Sequence, residues 1–352
     1  MGRDRSPSPT KMLTLIRKRP YLFNGLLLAL ALALSLAFGA AAIAPADVLT
    51  TLLGWMPGAP ELSGASATIL NQIRIPHTVL VALTGAALAT SGAAYQGVFR
   101  NPLADPYLIG VASGAGLGAV LVMARVWPSN PAGFYAVPAA AFLGALLAVA
   151  IVYSLARVGK TLPVTTLILA GVAFSSFATA LSSFLMLRSE GELRRAISWL
   201  LGGASLSGWQ PVIGMLPYVA VGLAILLLSG HLLNVLQLGE EQAQQLGLPV
   251  ERIKVIILGA ASLTTAAAVA FSGVIGFIGL IVPHSVRLVW GADYRRLLPL
   301  ALLAGASSLL LADLLARVLF APQSLPVGLF TALAGAPFFF WLLRRAKAQL
   351  YW

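Results

Sequence analysis

The chain contains no cysteine, which excludes disulfides, thiolate nucleophiles and cysteine-based metal sites. Charge is scarce too: 10% of residues are Asp, Glu, Lys or Arg, against about 25% in soluble domains. With 11 carboxylates in 352 residues, little is left for acid–base catalysis. Ion-coupled carriers keep ionisable groups near the membrane midplane, and such groups are rare here. The three histidines, His77, His231 and His284, lie far apart, without the H-E-x-x-H pairing of a zinc site. There is no G-x-S-x-G elbow and no convincing nucleophile–base pair. One string, SLARVGKT (Ser154 to Thr161), approaches a phosphate-binding loop but has Ser154 in place of its first glycine. It also ends a hydrophobic run instead of joining a strand to a helix, the setting in which such loops offer N–H groups to phosphate. It reads as a turn. If ATP drives this protein, the ATPase is another polypeptide, and no cofactor is expected in this chain.

What the chain does have is apolar surface: 59% of residues are hydrophobic and the mean hydropathy is +0.90. A soluble core cannot hide that surplus, so the natural solvent is lipid. The first run, Tyr21 to Ile43, is longer than a signal-peptide core of roughly 7–15 residues and is read as a retained first helix. Apolar runs between breaks predict ten helices, at 21–43, 75–98, 108–127, 134–157, 163–187, 211–235, 252–271, 273–290, 297–316 and 326–344. The fold class is therefore an all-α polytopic membrane protein. A basic segment (1–20) precedes one transmembrane domain (21–345), and a short tail (346–352) follows it. Within the domain lie a polar loop at 236–251 and a short outer helix at 191–203.

Charge orients the bundle. With both termini cytoplasmic, 17 of the 23 basic residues fall inside, leaving Arg74, Arg125, Arg188, Arg194, Arg195 and Arg317 outside. This follows the positive-inside rule, so the net charge of +12 signals topology and not nucleic acid binding. Near the outer end of the ninth helix, Asp313 is expected to pair with Arg317, one turn on. Gly110, Gly114 and Gly118 recur every fourth residue, as at a close helix contact. Gly273, Gly276 and Gly279, followed by Pro283, suggest an irregular helix start.

Two polar stretches need a reason. In YQGVFRNPLADPYLIG, the inner break carries Arg100, Asn101, Pro102, Asp105 and Pro106. Its prolines force the preceding residues out of helical geometry, so one helix stops and the next restarts. Such backbone survives at membrane depth only when buried in protein or lining a cavity. In QLGEEQAQQLGLPVERIK, glycines 239 and 247 bracket one or two short helices. That loop is either a solvated connection or an element that fits a cleft on a soluble partner.

Six strings occur in order: GAALATSGAAYQGVFRNPLADPYLIGVASGAGLGA, SWLLGGAS, LGEEQAQQLGL, GVIGFIGLIVPHSVRLVWGADYRRLLPL, ADLLAR and LPVGLFTALAGAPFFFWLL. Over about residues 70–345 the chain resembles the permease subunit of the iron-chelate and cobalamin (FecCD-type) class of bacterial ABC importers. The resemblance implies two copies of the chain around a central path in the inner membrane, surrounded by lipid. It also implies two cytoplasmic ATPase subunits and a periplasmic or lipid-anchored substrate-binding protein. The cargo would be a ferric siderophore, haem or cobalamin. An ion-coupled secondary transporter is the alternative class.

The resemblance also implies site residues. Coupling to the ATPase falls on Gly239, Glu240, Glu241, Ala243, Leu246 and Gly247. Docking of the binding protein falls on Arg74 and Arg317, with His77 where the family usually has a second arginine in its R-[LI]-P-R pattern. Arg74 and Arg317 also fit ordinary interfacial snorkelling. In the helix expected to line the path, Gly171, Ser175, Thr179 and Ser182 read either as a polar stripe or as a packing seam of backbone-bonded hydroxyls. Arg194 and Arg195 would stand at the outer mouth. The inner break would set the third helix and contribute to the cytoplasmic gate.

Overall fold

The computed structural model describes residues 17–39, 43, 46–48, 50, 64–124, 133–189, 192–203, 208–319 and 325–350. Arg125 and most of the N-terminal basic segment lie outside the described residues. Among the described residues there is one isolated bridge, Val158 with Thr161, and no strand. The helices are α1 (Pro20–Ala37), α2 (Ile75–Val98), α3 (Val111–Met123), α4 (Ala136–Ala156), α5 (Val164–Arg188), α6 (Leu193–Leu200) and α7 (Gln210–Leu228). They continue with α8 (Gly230–Leu236), α9 (Glu240–Gln245), α10 (Val250–Ser272), α11 (Ile278–Trp290), α12 (Tyr294–Val318) and α13 (Val327–Leu350). A short helix, Gly64–Thr68, and a π-helical turn, Ile69–Arg74, lead into α2 without a break.

Seven of these segments are long and apolar enough to cross a membrane, and α3, α11 and the apolar part of α13 are shorter. Together they occupy the ten positions expected from the sequence. Helix α2 is the centre of the bundle: 83% of its apolar window is buried, against 17% for α5, which lies at the periphery of a single chain. Small residues allow this. A Cβ on Gly92 of α2 would run into the carbonyl of Gly279 on α11, and one on Gly85 into that of Gly305 on α12. Where side chains are this small, backbones approach and dispersion contacts replace the hydrophobic drive that lipid cannot supply. Gly114 and Gly118 of α3 pack against Gly144 and Ala140 of α4, as their spacing suggests. Gly110 is different, a left-handed turn residue with φ 84° ahead of α3.

Several boundaries shift. Helix α1 ends at Ala37 rather than 43. Helix α3 starts at Val111 because Pro106–Ile109 form a 3-10 turn. The sixth expected span divides at Ser229 into α7 and α8. Helix α11 starts at Ile278, five residues after Gly273, so the irregular start expected there is present. In that stretch Phe277 is left-handed at φ 70°, and its ring fills the space a side chain on Gly335 of α13 would need. Helix α12 starts at Tyr294 because Asp293 caps it, accepting the Arg295 N–H at 3.0 Å. Bonds from Arg295 and Asn234 hold the Asp293 carboxyl well below the usual carboxylate range.

Candidate functional site

The polar loop forms a compact, partly exposed element at one end of the bundle, called the inner end after the orientation read from charge. Gly239 at φ 116° turns the chain out of α8, helix α9 follows, and Gly247 at φ 85° turns it back towards α10. These are conformations that only glycine adopts freely. Ala243 is buried and seats α9, while Leu238 (55% exposed), Leu246 (62%) and Glu241 face outward. Glu240 turns inward. Its carboxylate accepts from Lys254 Nζ at 3.0 and 3.2 Å, so its side chain is engaged within the chain, unlike that of Glu241. On the other flank, Gln237 Nε2 donates to the Gly97 carbonyl at 2.9 Å, which ties the loop to the end of α2.

That end of α2 opens directly into the proline-rich turn. Arg100 is left-handed at φ 48°. Asn101 Oδ1 accepts the Leu103 N–H at 2.9 Å. Asp105 is extended (φ −117°, ψ 143°), as the residue before a proline prefers. Its Oδ1 caps the 3-10 turn by accepting the Tyr107 N–H at 2.8 Å. Burial pushes the Asp105 carboxyl up to about 6. The Tyr107 hydroxyl donates to the Ile275 carbonyl at 2.8 Å and accepts the Ile275 N–H at 3.2 Å. One side chain thus satisfies two backbone groups of the irregular stretch before α11, as apolar surroundings require. The turn also presses on α5, where a Cβ on Gly171 would meet the Leu108 carbonyl. Pro102 is exposed and Pro106 buried.

On α5 the expected stripe divides. Gly171, Ser175 and Ser182 face the packed side: Ser175 Oγ accepts from Ser113 of α3 at 3.0 Å, and Ser182 Oγ donates to its own Ala178 carbonyl at 2.7 Å. Thr179 lies on the open face, with Ser176, Ser183, Phe177 and Phe184. The four residues therefore form a seam plus one exposed threonine, because a helix turns 100° between Ala178 and Thr179.

At the outer end, Arg74 is buried, 5% exposed, and donates to the α1 carbonyls of Leu36 at 2.8 Å and Ala37 at 3.3 Å. Arg317 Nε donates to Asp313 Oδ2 at 2.8 Å, the pairing expected from their spacing. His77 Nε2 lies 3.1 Å from Asp313 Oδ1, and Arg317 Nη2 donates to Ser35 Oγ at 2.9 Å. The three docking candidates are thus brought together, each in internal bonds. Arg194 and Arg195 are exposed on α6, with Glu192 3.8 Å from Arg195. Sequence reasoning passed over Lys254, Gln237 and Tyr107. The one available signal was Lys254 in the apolar run ERIKVIILG, which topology alone seemed to explain.

Residues 27–345 match the FecCD transport family, and the chain belongs to it. It is 47% identical over 292 residues to the cobalamin import system permease protein BtuC of Halobacterium salinarum, covering 83% of this chain and 77% of that protein. It is 42% identical over 281 residues to the hemin transport system permease protein HmuU of Yersinia pestis, covering 79% and 84%. With the Fe(3+)-citrate import system permease protein YfmE of Bacillus subtilis it shares 35% identity over 337 residues, covering 95% and 98%. A solved structure described as an inward-facing conformation of a metal-chelate type ABC transporter superposes with a TM-score of 0.80 at 30% identity, covering 96% of this chain and 99% of that one. The chain is a polytopic membrane permease of the ABC importer class.

Proposed function

We propose that this chain carries a ferric chelate (siderophore or haem) or cobalamin across the bacterial inner membrane, as one of two permease copies. Separate ATPase subunits power it and an external binding protein feeds it, with both termini in the cytoplasm. The observation that supports this best is α9: a short helix held on glycine turns, offering Glu241, Leu238 and Leu246 as a ready contact for a soluble partner. The relatives' cargoes supply the substrate class. The peripheral α5, with Leu169, Phe177 and Leu187 exposed, is the face on which a second copy would complete the path. On that open face Thr179, Ser176 and Ser183 are the hydroxyls available to a passing ligand, while Gly171, Ser175 and Ser182 hold the seam behind them.

At the outer mouth, the exposed Arg194 and Arg195, the latter 3.8 Å from Glu192, are available to attract an anionic chelate. A docking role for Arg74, His77 and Arg317 requires partner carboxylates to compete with Asp313 and the α1 carbonyls. The chain itself makes and breaks no covalent bond and needs no cofactor. Reconstituted into vesicles with its ATPase and binding protein, it should accumulate haemin, a ferric hydroxamate or cyanocobalamin only with ATP. Uptake along an ion gradient by the chain alone would refute the reading.

A further inference from the structure

Lys254 is nearly inaccessible, 2% exposed, in the first turn and a half of α10. Its ammonium has three protons and three acceptors: the Glu240 carboxylate at 3.0 Å, Glu251 Oε1 at 2.9 Å and the Leu162 carbonyl at 3.2 Å. Glu251 Oε2 in turn accepts the Leu162 N–H at 3.1 Å. Both backbone groups of Leu162 are thus held by the cluster, two residues before α5 begins at Val164. The chain between α4 and α5 has little slack. Val158 and Thr161 bridge each other, and Thr166 of α5 donates to the Ala156 carbonyl at 2.8 Å. A displacement of α9 therefore has a direct route to α5 through one side chain.

Mere attachment does not require a buried charge. Ala243 already seats α9, and apolar residues of similar volume usually replace a buried ion pair without loss. An ion cluster adds direction, because each proton has one acceptor and the three segments can meet in only one register.

We propose that Lys254 is a positioning residue for energy coupling, joining the partner-facing helix α9 to the start of α5 so that the two move as a unit. This rests on the permease reading above. The natural chain has no cysteine, so spin labels at the exposed Thr165→Cys and Gln244→Cys can report α5 and α9 in the full importer, nucleotide-free and trapped with ATP and vanadate. With Lys254→Met, the ATPase should still co-purify and hydrolyse ATP, while uptake per ATP falls about tenfold and the α5 label no longer follows α9. Lys254→Arg, which keeps charge and donors, should restore most of both readouts. If Lys254→Met does not assemble, Glu240→Gln removes one arm with Lys254 and Glu251 left in place, and should lower uptake per ATP in the same direction.

Uptake per ATP and label movement unchanged in Lys254→Met, or in Glu240→Gln where that variant stands in, would overturn the proposal. So would equal loss in Lys254→Arg and Lys254→Met. Failure of the unsubstituted chain to bind an ATPase, or uptake by it without one, would instead refute the permease reading before any variant is compared.

Discussion

The two ends of the bundle carry opposite versions of the same device. At the inner end a buried cation, Lys254, sits between Glu240 and Glu251, whose side chains are 35% and 28% exposed. At the outer end a buried carboxylate, Asp313, sits between His77 and Arg317, and Arg317 is anchored further on Ser35. The outer cluster ties the more exposed α1 to the packed helices α2 and α12. The inner cluster ties the short helix α9 and the start of α10 to the loop before α5. If Asp313 is removed at the outer end, Arg317, whose side chain is 17% exposed, stays largely enclosed, while His77 at 33% reaches water. At the inner end both carboxylates can turn to water. The outer device therefore acts as scaffold and the inner one as a joint.

The largest expected effect follows from that difference. Asp313→Leu leaves Arg317 and His77 without their shared acceptor, and should cost about 3–5 kcal/mol as a broken buried pair. Thermal unfolding of the detergent-solubilised chain, at fixed scan rate, would show it as a large fall in midpoint. Asp313→Asn keeps an acceptor and should fall less. Lys254→Met strands two half-exposed acids that can rehydrate, so the same measurement should give only about 1–2 kcal/mol. A larger loss at Lys254 than at Asp313 would reverse the scaffold–joint distinction.

A half-buried carboxyl in the proline-rich turn sharpens the contrast. Asp105 caps its turn through one backbone N–H, and no cation pairs with it among the described residues. Its folded value of about 6 lies above the ordinary 3.8, so folding favours the protonated form. That contribution is complete below about pH 4 and is lost as pH rises through about 6. Asp105→Asn keeps the capping oxygen and cannot ionise. It should match the parent's unfolding midpoint near pH 4 and exceed it at pH 8 by roughly 1–3 kcal/mol. A variant that is less stable at both values would show that the charge itself holds the turn.

How much of this was legible in the sequence depended on range. Periodicity and breaks located ten helices, and the glycines at 239 and 247 announced α9 because positive φ is a local demand. Asp313 with Arg317 was readable from a spacing of four. What the sequence did not show were contacts set by tertiary packing. Lys254 and Glu240 are fourteen positions apart across a turn, and Tyr107 meets Ile275 across 168. The α5 stripe stayed open between seam and path for a different reason. Small hydroxyl residues serve a seam and a path equally well, and only the neighbouring α3 shows which face is filled.

The smallest expected effect on stability separates two adjacent acids on α9. Glu240 is turned into the ion cluster, whereas Glu241 is exposed. Charge reversal by Glu240→Lys would set two ammonium groups against each other beside Leu162, and should cost about 1–3 kcal/mol as an unpaired, partly buried charge. Glu241→Lys meets only solvent in the isolated chain, and its midpoint should stay within about 0.5 kcal/mol of the parent. In the assembled importer the order changes. On the function proposed above, an exposed acid on the outward face of α9 would meet basic groups of the ATPase, so Glu241→Lys should weaken ATPase co-purification, and the more so at low salt. Stability and assembly thus respond to different members of one pair. If Glu241→Lys left ATPase binding untouched while Glu240→Lys abolished it in a still-folded chain, the partner would be reading the buried cluster, and the outward face of α9 would need another role.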